Sequence, residues 1–413
     1  MIKINPNSLP FVALRNTEFR NFISGRFLFI MGLRMTGTVI GWWIYVLTDS
    51  ALALGLVGLS EVVAALSLAL YAGHYIDRNE NRRILLKCII LYMCCIVGFF
   101  FLSDTSLVHY KPWTIACIIF LIIAATGAIR AFSGPTFSAL ISKIVPKKLL
   151  PSATTISSGT WLTGSIVGHA LGGFCIAIFG IHYTFLVILM FVISGYLLLR
   201  KLAPKAVNVH YNQNTWQSVK EGIVYVFKTK EILGAITLDL FAVLFGGAVA
   251  MVPIFAKDIL HIGPQGFGWL NAATDIGAII TVTFLTLFPL ERKQGKWLFY
   301  SIAGFGICII VFALSKTFWL SFFALMLSGS MDGVSVVIRS TILQLKTPEE
   351  LKGRVMSVNS MFINSSNELG QFESGIAAKL LGIVPSVVFG GCMTIAVVVA
   401  TWFKAPGLRK MEY

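Results

Sequence analysis

From Asn21 to Phe403 the chain is an almost unbroken series of apolar stretches, each close to the roughly 20 helical residues needed to cross about 30 Å of hydrocarbon. That feature admits few folds. A backbone inside lipid finds no water, so every segment must satisfy its own amides as a helix or share them in a closed barrel. The runs are continuously apolar and rich in Leu, Ile, Phe and Gly, without the alternation of barrel strands, and read as helices. With 56% hydrophobic and 12% charged residues and a mean hydropathy of +0.82, the composition is that of an integral membrane protein.

Twelve spans are predicted, at residues 21–47, 52–74, 84–102, 113–141, 151–178, 183–199, 232–255, 267–289, 297–314, 319–345, 355–381 and 384–403. They leave no room for a soluble catalytic domain. The polar stretch from Lys201 to Glu221, with Pro204, Asn208, Asn212 and Asn214, separates an N-terminal six-helix bundle (1–200) from a C-terminal one (231–413). Within this linker (201–230), Trp216, Val219, Ile223, Val226 and Phe227 fall at helical spacing among lysines, which predicts an amphipathic helix on the membrane surface.

The two halves repeat. A shift of 202 residues places Gly127 on Gly329, Ser138 on Ser340, Pro146 on Pro348, Leu149 on Leu351, Gly168 on Gly370, Gly173 on Gly375 and Gly180-Ile181 on Gly382-Ile383. The fold class expected is therefore all-α and membrane-embedded, two pseudo-symmetric six-helix bundles. Parallel repeats of this kind bind substrate near the bilayer midplane and work by alternating access.

Lysine and arginine set the orientation, because they gather on the cytoplasmic side. Of the 33, 25 fall at the termini and in loops on one side, and only Lys111, Lys257 and Lys316 on the other. Both termini are expected in the cytoplasm, with the protein in the cytoplasmic (inner) membrane. The net charge of +15 is accounted for by these loops beside anionic headgroups, so nucleic acid is not an expected partner. The first span follows polar Asn16, Thr17 and Glu18 and is too long for a signal-peptide core. The seven cysteines lie in or beside spans without metal-ligand or disulfide spacing, and no metal or other cofactor is expected.

Eleven charges lie inside spans: Arg26, Arg34, Glu61, Arg130, Asp239, Asp275, Asp332, Arg339, Glu368, Glu373 and Lys379. The third, sixth, ninth and twelfth spans carry none in their interiors. A charge in hydrocarbon costs at least about 2.5 kcal/mol, so the charged helices are expected to face a polar path. Arg26, Arg34 and Arg130 make the first half cationic, which suits an anionic or catecholate-like substrate, with Trp42, Trp43, Trp161, Phe241, Phe245 and Trp269 as candidate aromatic contacts. In the 202-residue alignment Arg130 falls on Asp332, an opposite charge at the equivalent place. Glu61, Asp239, Asp332, Glu368 and Glu373 are the candidate proton carriers, and Arg26, Arg34, Arg130 and Arg339 their candidate ion-pair partners.

After the second span comes Gly73-His-Tyr-Ile-Asp77-Arg78-Asn-Glu-Asn-Arg82-Arg83. It resembles the cytoplasmic loop signature of the major facilitator superfamily, Gly-x-x-x-Asp-Arg-x-x-Arg-Arg, with one extra residue before the arginine pair. The resemblance implies a cytoplasmic gate made by Gly73, Asp77, Arg78, Arg82 and Arg83. The equivalent stretch after the eighth span, Pro289-Leu-Glu-Arg-Lys, is degenerate. In the fifth span Gly164, Gly168, His169, Gly172 and Gly173 resemble the antiporter signature of exporters in this superfamily, with histidine where that signature has proline. Small residues at this spacing allow close helix packing. Arg130 followed by Gly134-Pro135 resembles the family's buried-arginine motif. The whole pattern resembles the branch that includes the enterobactin exporter and the macrolide efflux proteins.

The expected function is thus secondary active transport: proton-coupled export of a small organic molecule, siderophore or drug-like, by a monomer. Import of a siderophore or small metabolite is the alternative in the same class, and a membrane receptor or enzyme the alternative outside it. No phosphate-binding loop, metal-ligand cluster or nucleophile constellation supports enzymatic chemistry.

Overall fold

The computed structural model describes residues 12–104, 110–204, 215–290 and 292–412, with the side chains of Leu70, Asp77, 215–219 and Ala248 left aside. Among the described residues every regular element is helical. The helices are α1 (Thr17–Thr48), α2 (Ala51–Arg78), α3 (Asn81–Leu102), α4 (Pro112–Ile144), then Leu150–Arg200, broken at Gly180 into α5 (150–179) and α6 (181–200). They continue as α7 (Thr215–Lys228), α8 (Lys230–Phe245), α9 (Gly263–Leu287), α10 (Gln294–Leu314), α11 (Phe318–Lys346), α12 (Lys352–Leu381) and α13 (Ile383–Lys404).

Among the described residues, ten stretches are long and apolar enough to cross a membrane. One of them, Lys147–Leu199, contains the break at Gly180 and holds two helices. The 30-residue α12 is long enough but too polar to be among the ten.

Two expectations about helix continuity are corrected. The predicted seventh span, 232–255, is not one helix: α8 stops at Phe245, and the chain continues through the 3-10 turn Ala248–Met251, a short helical turn Val252–Ile254 and a π-helix Phe255–Ile259. Gly246 and Gly247 supply the break, since adjacent glycines hold a helix least firmly. The loop predicted between the fifth and sixth spans is absent, because one glycine turns the chain. Gly180 has φ 72 and ψ 174, and its repeat counterpart Gly382, between α12 and α13, has φ 91 and ψ 163. Only glycine adopts such backbone readily. The two halves thus share a turn geometry as well as a sequence pattern.

The chain forms two compact units, the first made of residues up to Ile40 with Val63–Tyr211, the second of Gly41–Val62 with Asn212–Tyr413. In unit 1, α1 is the central helix. Its Phe22 and Phe29 ring against Phe137 of α4, at 5.9 and 5.7 Å between centroids, and Phe29 also meets Tyr92 of α3 at 5.5 Å. In unit 2, a buried cluster of Val226, Ile236, Leu298, Ile342, Val355 and Leu408 ties α7, α8, α10, α11 and α12 to the C-terminal turn. The short helix α7 is held there by Tyr225, which donates to the Lys346 carbonyl at 2.5 Å, and by an ion pair between Glu221 and Arg354.

Candidate functional site on two charged helix faces

The first face lies in unit 1, where α5 packs closely on α1. A Cβ built at Gly168 would stand 2.7 Å from Cβ of Arg34 and 2.8 Å from the Met31 carbonyl, and one at Gly172 3.1 Å from Thr38 Cβ. Gly164 approaches Ile30 in the same way, and Gly173 is buried. Gly370, the repeat counterpart of Gly168, sits 2.9 Å by the same measure from the carbonyls of Val243 and Leu244 on α8. Span five on span one is therefore echoed by span eleven on span seven.

This packing sets the arginines. Arg34 lies with its guanidinium carbon 4.9 Å from the Trp161 ring centre, a ring that is 38% exposed. Such a stack rests one face of the guanidinium on an aromatic ring. Arg26 donates to Ser157 Oγ and lies 5.3 Å over Phe137. Eight residues turn a helix by about 80°, so Arg26 and Arg34 address different neighbours although both are half-buried. A cleft of about 300 Å³ is lined by Ile23, Ser24, Phe27 and Leu28 of α1 and Thr160 of α5. His169 Nδ1 stands 2.8 Å from the Thr38 hydroxyl, which joins α5 to α1 at the point where the exporter signature has proline. Arg130 is half-buried on α4, seven residues and so two turns from Phe137 on the same face.

The second face lies in unit 2. Asp239 of α8 and Arg339 of α11 form an ion pair with side chains only 6% and 3% exposed. Asp332, half-buried, precedes Arg339 by seven residues and shares its face of α11. Arginine side chains on a helix lean toward its N-terminus, so the Arg339 stem leans toward Asp332. On α12, Glu368 is 8% exposed and accepts a hydrogen bond from Gln371 Nε2 at 3.0 Å. Glu373 is half-buried. Glu61 is half-buried on α2, one turn beyond Gly58, whose Cβ position lies 2.7 Å from the Glu368 carbonyl. Five candidate carboxylates therefore belong to one unit, and two of them, Asp239 and Glu368, are buried.

The predicted gate residues are engaged within unit 1. Arg82 Nη2 donates to the carbonyl of Arg200 at 2.8 Å, where the negative end of the α6 dipole favours a cation. Arg83 pairs with Glu80 one turn earlier at 2.9 Å, and Arg78 is exposed. A Cβ at Gly73 would meet no atom within 4 Å. The Asp77 side chain, and Glu291 in the degenerate second copy of the motif, lie outside the described residues.

Sequence reasoning missed one group. Tyr45 and Asp49, near the turn that joins α1 to α2, contact Asp258 and Lys257 in the π-helical turn. The available signal was Lys257, one of only three cations on the sparsely charged side.

The chain matches, over residues 8–412, the major facilitator family described as transmembrane secretion effector. It is 24% identical over 373 residues to the Enterobactin exporter EntS of Shigella flexneri, covering 88% of this chain and 84% of that protein. It is 24% identical over 276 residues to the uncharacterized MFS-type transporter YfmI of Bacillus subtilis (strain 168), covering 64% and 67%. Two solved structures share its fold. The nucleoside transporter NupG superposes with a TM-score of 0.71 at 13% identity, covering 96% of this chain and all of that one. The D-xylose-proton symporter does so with a TM-score of 0.75 at 12% identity, covering 97% and 100%. These relatives and neighbours are transporters, not enzymes. A full-length match to the family, joined to an all-helical chain of membrane-length segments, means that the protein is a multi-pass membrane transporter and belongs to the major facilitator superfamily, in its transmembrane secretion effector family.

Proposed function

We propose that the protein exports a small anionic, aromatic organic molecule across the cytoplasmic membrane by alternating access, with protons as the coupling ion. The halves are 1–200 and 231–413, joined by 201–230, with both termini in the cytoplasm and one chain as the working unit. The stack of Arg34 on Trp161 is the observation that carries the substrate class. An acidic aromatic such as a catecholate offers both an anion for a guanidinium and a ring for an indole face. Arg26 and Arg130 add positive charge on the same unit. The relatives named as enterobactin exporters favour export and a siderophore-like cargo.

Proton coupling is assigned to the unit 2 carboxylates Asp332, Glu368 and Glu373, with Glu61 beside Glu368 and with the Asp239–Arg339 pair as their fixed neighbour. Carboxylates in a dry setting bind protons readily, and an arginine nearby opposes that binding. Gly73, Asp77, Arg78, Arg82 and Arg83 are assigned to closing the cytoplasmic side.

Everted membrane vesicles test the reading. With an acidic lumen, vesicles containing the protein should accumulate a catecholate siderophore several-fold above vesicles lacking it, and an uncoupler should stop the uptake. Arg34→Ala and Trp161→Ala should each remove most of the accumulation. Uptake that ignores the uncoupler would refute proton coupling, and uptake unaffected by both substitutions would refute the substrate face.

A further inference from the structure

Helix α10 turns one apolar stripe outward along its whole length. Trp297, Tyr300, Ile307, Val311 and Leu314 recur at intervals of three, four and seven residues and are each 37–63% exposed. On α13, Phe389, Cys392, Val399 and Phe403 make a second exposed stripe of the same spacing. Both helices are free of interior charge, and in a chain that spans the membrane such stripes are covered by acyl chains.

At one end the stripes change character. The rings of Trp297 and Tyr300 meet edge to face at 6.3 Å, and Tyr300 meets Trp402 of α13 at 6.1 Å. Arg409, in the turn Pro406–Arg409 that follows α13, lays its guanidinium carbon 4.9 Å from the Trp402 ring centre. Tryptophan and tyrosine gather at the depth of lipid headgroups, where an amphipathic ring spans the boundary between acyl chains and water.

The cluster is held from behind. Phe299, 1% exposed, meets Trp402 at 5.3 Å. Leu408 and Met411 are buried in the unit 2 core, and Gly295 N–H donates to the Met411 carbonyl at 3.1 Å. A Cβ at Gly295 would stand 2.9 Å from the Arg409 carbonyl, so the backbone of the C-terminal turn lies against the first turn of α10. Arg409 is thereby kept near Lys296, which is exposed one turn before Tyr300. The charge around the cluster has one sign. Among the described residues of 292–300 and 402–412, Arg292, Lys293, Lys296, Lys404, Arg409 and Lys410 stand against one acid, Glu412.

We propose that Lys296, Trp297, Tyr300, Trp402 and Arg409 form a binding site for one anionic phospholipid, with the rings against its glycerol and upper acyl chains and the two cations on its phosphodiester. Basic sites beside membrane helices select anionic headgroups in this way. A free phosphate ion would satisfy the cations alone, whereas the rings continue directly into the acyl-facing stripes of α10 and α13, which commits the site to a lipid. The bound lipid ties the C-terminal turn to two outer helices. The site goes beyond the transport reading and depends on neither its cargo nor its coupling ion.

The test is thermal unfolding of the full chain in mild detergent, titrated with phosphatidylglycerol, phosphatidylcholine or inorganic phosphate. Phosphatidylglycerol should raise the midpoint, and the other two should leave it near that of the lipid-free protein. Arg409→Gln with Lys296→Gln should move the phosphatidylglycerol titration to roughly tenfold to thirtyfold higher concentration. Lys147→Gln with Lys148→Gln, which removes two exposed cations from unit 1, should titrate like the parent. Independently of the charge variants, Tyr300→p-benzoylphenylalanine in a chain with native cations should crosslink phosphatidylglycerol from an equimolar mixture with phosphatidylcholine, read by mass spectrometry of the adduct. Equal midpoint shifts from both lipids, a double variant that titrates like the parent, a unit 1 control that is weakened as much, or a crosslink without preference would each overturn the site. A midpoint raised as far by inorganic phosphate would overturn the assignment to lipid.

Discussion

Asp239 and Arg339 form an ion pair in the interior of unit 2, joining α8 to α11 where neither side chain reaches solvent. Desolvating both groups offsets most of their attraction, but removing one strands the other. Asp239→Asn is therefore expected to destabilise the protein by about 3–5 kcal/mol, while Asp239→Leu with Arg339→Met should fall near the parent. Denaturant unfolding in detergent, followed by circular dichroism, compares the three. A double variant as unstable as the single one would show that the stranded charge is not the cause.

Gly168 controls Arg34 sterically. With only 2.7 Å between its Cβ position and Arg34 Cβ, Gly168→Val must push α5 away from α1. Overpacking of this kind costs about 1–3 kcal/mol. Thermal unfolding should fall accordingly, and siderophore accumulation in everted vesicles should drop together with it. Accumulation at the parent level in a destabilised variant would separate the packing of Arg34 from its proposed role.

The paired turns at Gly180 and Gly382 should respond alike. Alanine at either position is placed in backbone that L-residues avoid, at a cost of about 1–3 kcal/mol. Thermal shift measurements on Gly180→Ala and Gly382→Ala check this, and a cost at one site alone would mean that the repeat does not extend to how firmly the turns are held.

Arg82 closes the C-terminus of α6 through the Arg200 carbonyl. Arg82→Gln is expected to lower stability by only about 0.3–1 kcal/mol. The local sign should be faster amide exchange in residues 196–202, read by mass spectrometry, with α3 and α4 unaltered.

Much of this architecture is legible in the sequence, because hydropathy and the 202-residue repeat act over whole helices. The spacing of Gly164, Gly168 and Gly172 marks the α5 face that meets α1, since only small residues permit that approach. The break after Phe245 is harder to read. Gly246-Gly247 lies inside a run as apolar as its neighbours, and hydropathy cannot distinguish a helix from a 3-10 or π turn of equal composition. The partners of Tyr45 and Asp49 lie more than 200 residues along the chain, beyond any periodicity. Arg26 and Arg34 are readable as two cations of one span about 80° apart, yet which residues of α4 and α5 they meet, Ser157, Phe137 and Trp161, depends on how those helices rotate, which spacing on α1 does not encode.

The polarity of α12 has a consequence for how the protein is made. Carrying Asn359, Asn364, Asn367, Glu368, Gln371, Glu373 and Lys379, it holds too little apolar surface to leave the translocon unaided. It follows ten earlier spans and is joined to the strongly apolar α13 by a single glycine turn. Its entry into the bilayer must therefore await companions, with α8 already in place to receive its small-residue face and α13 drawing it across, so that biogenesis of the second half ends with a concerted pair of helices rather than two successive insertions.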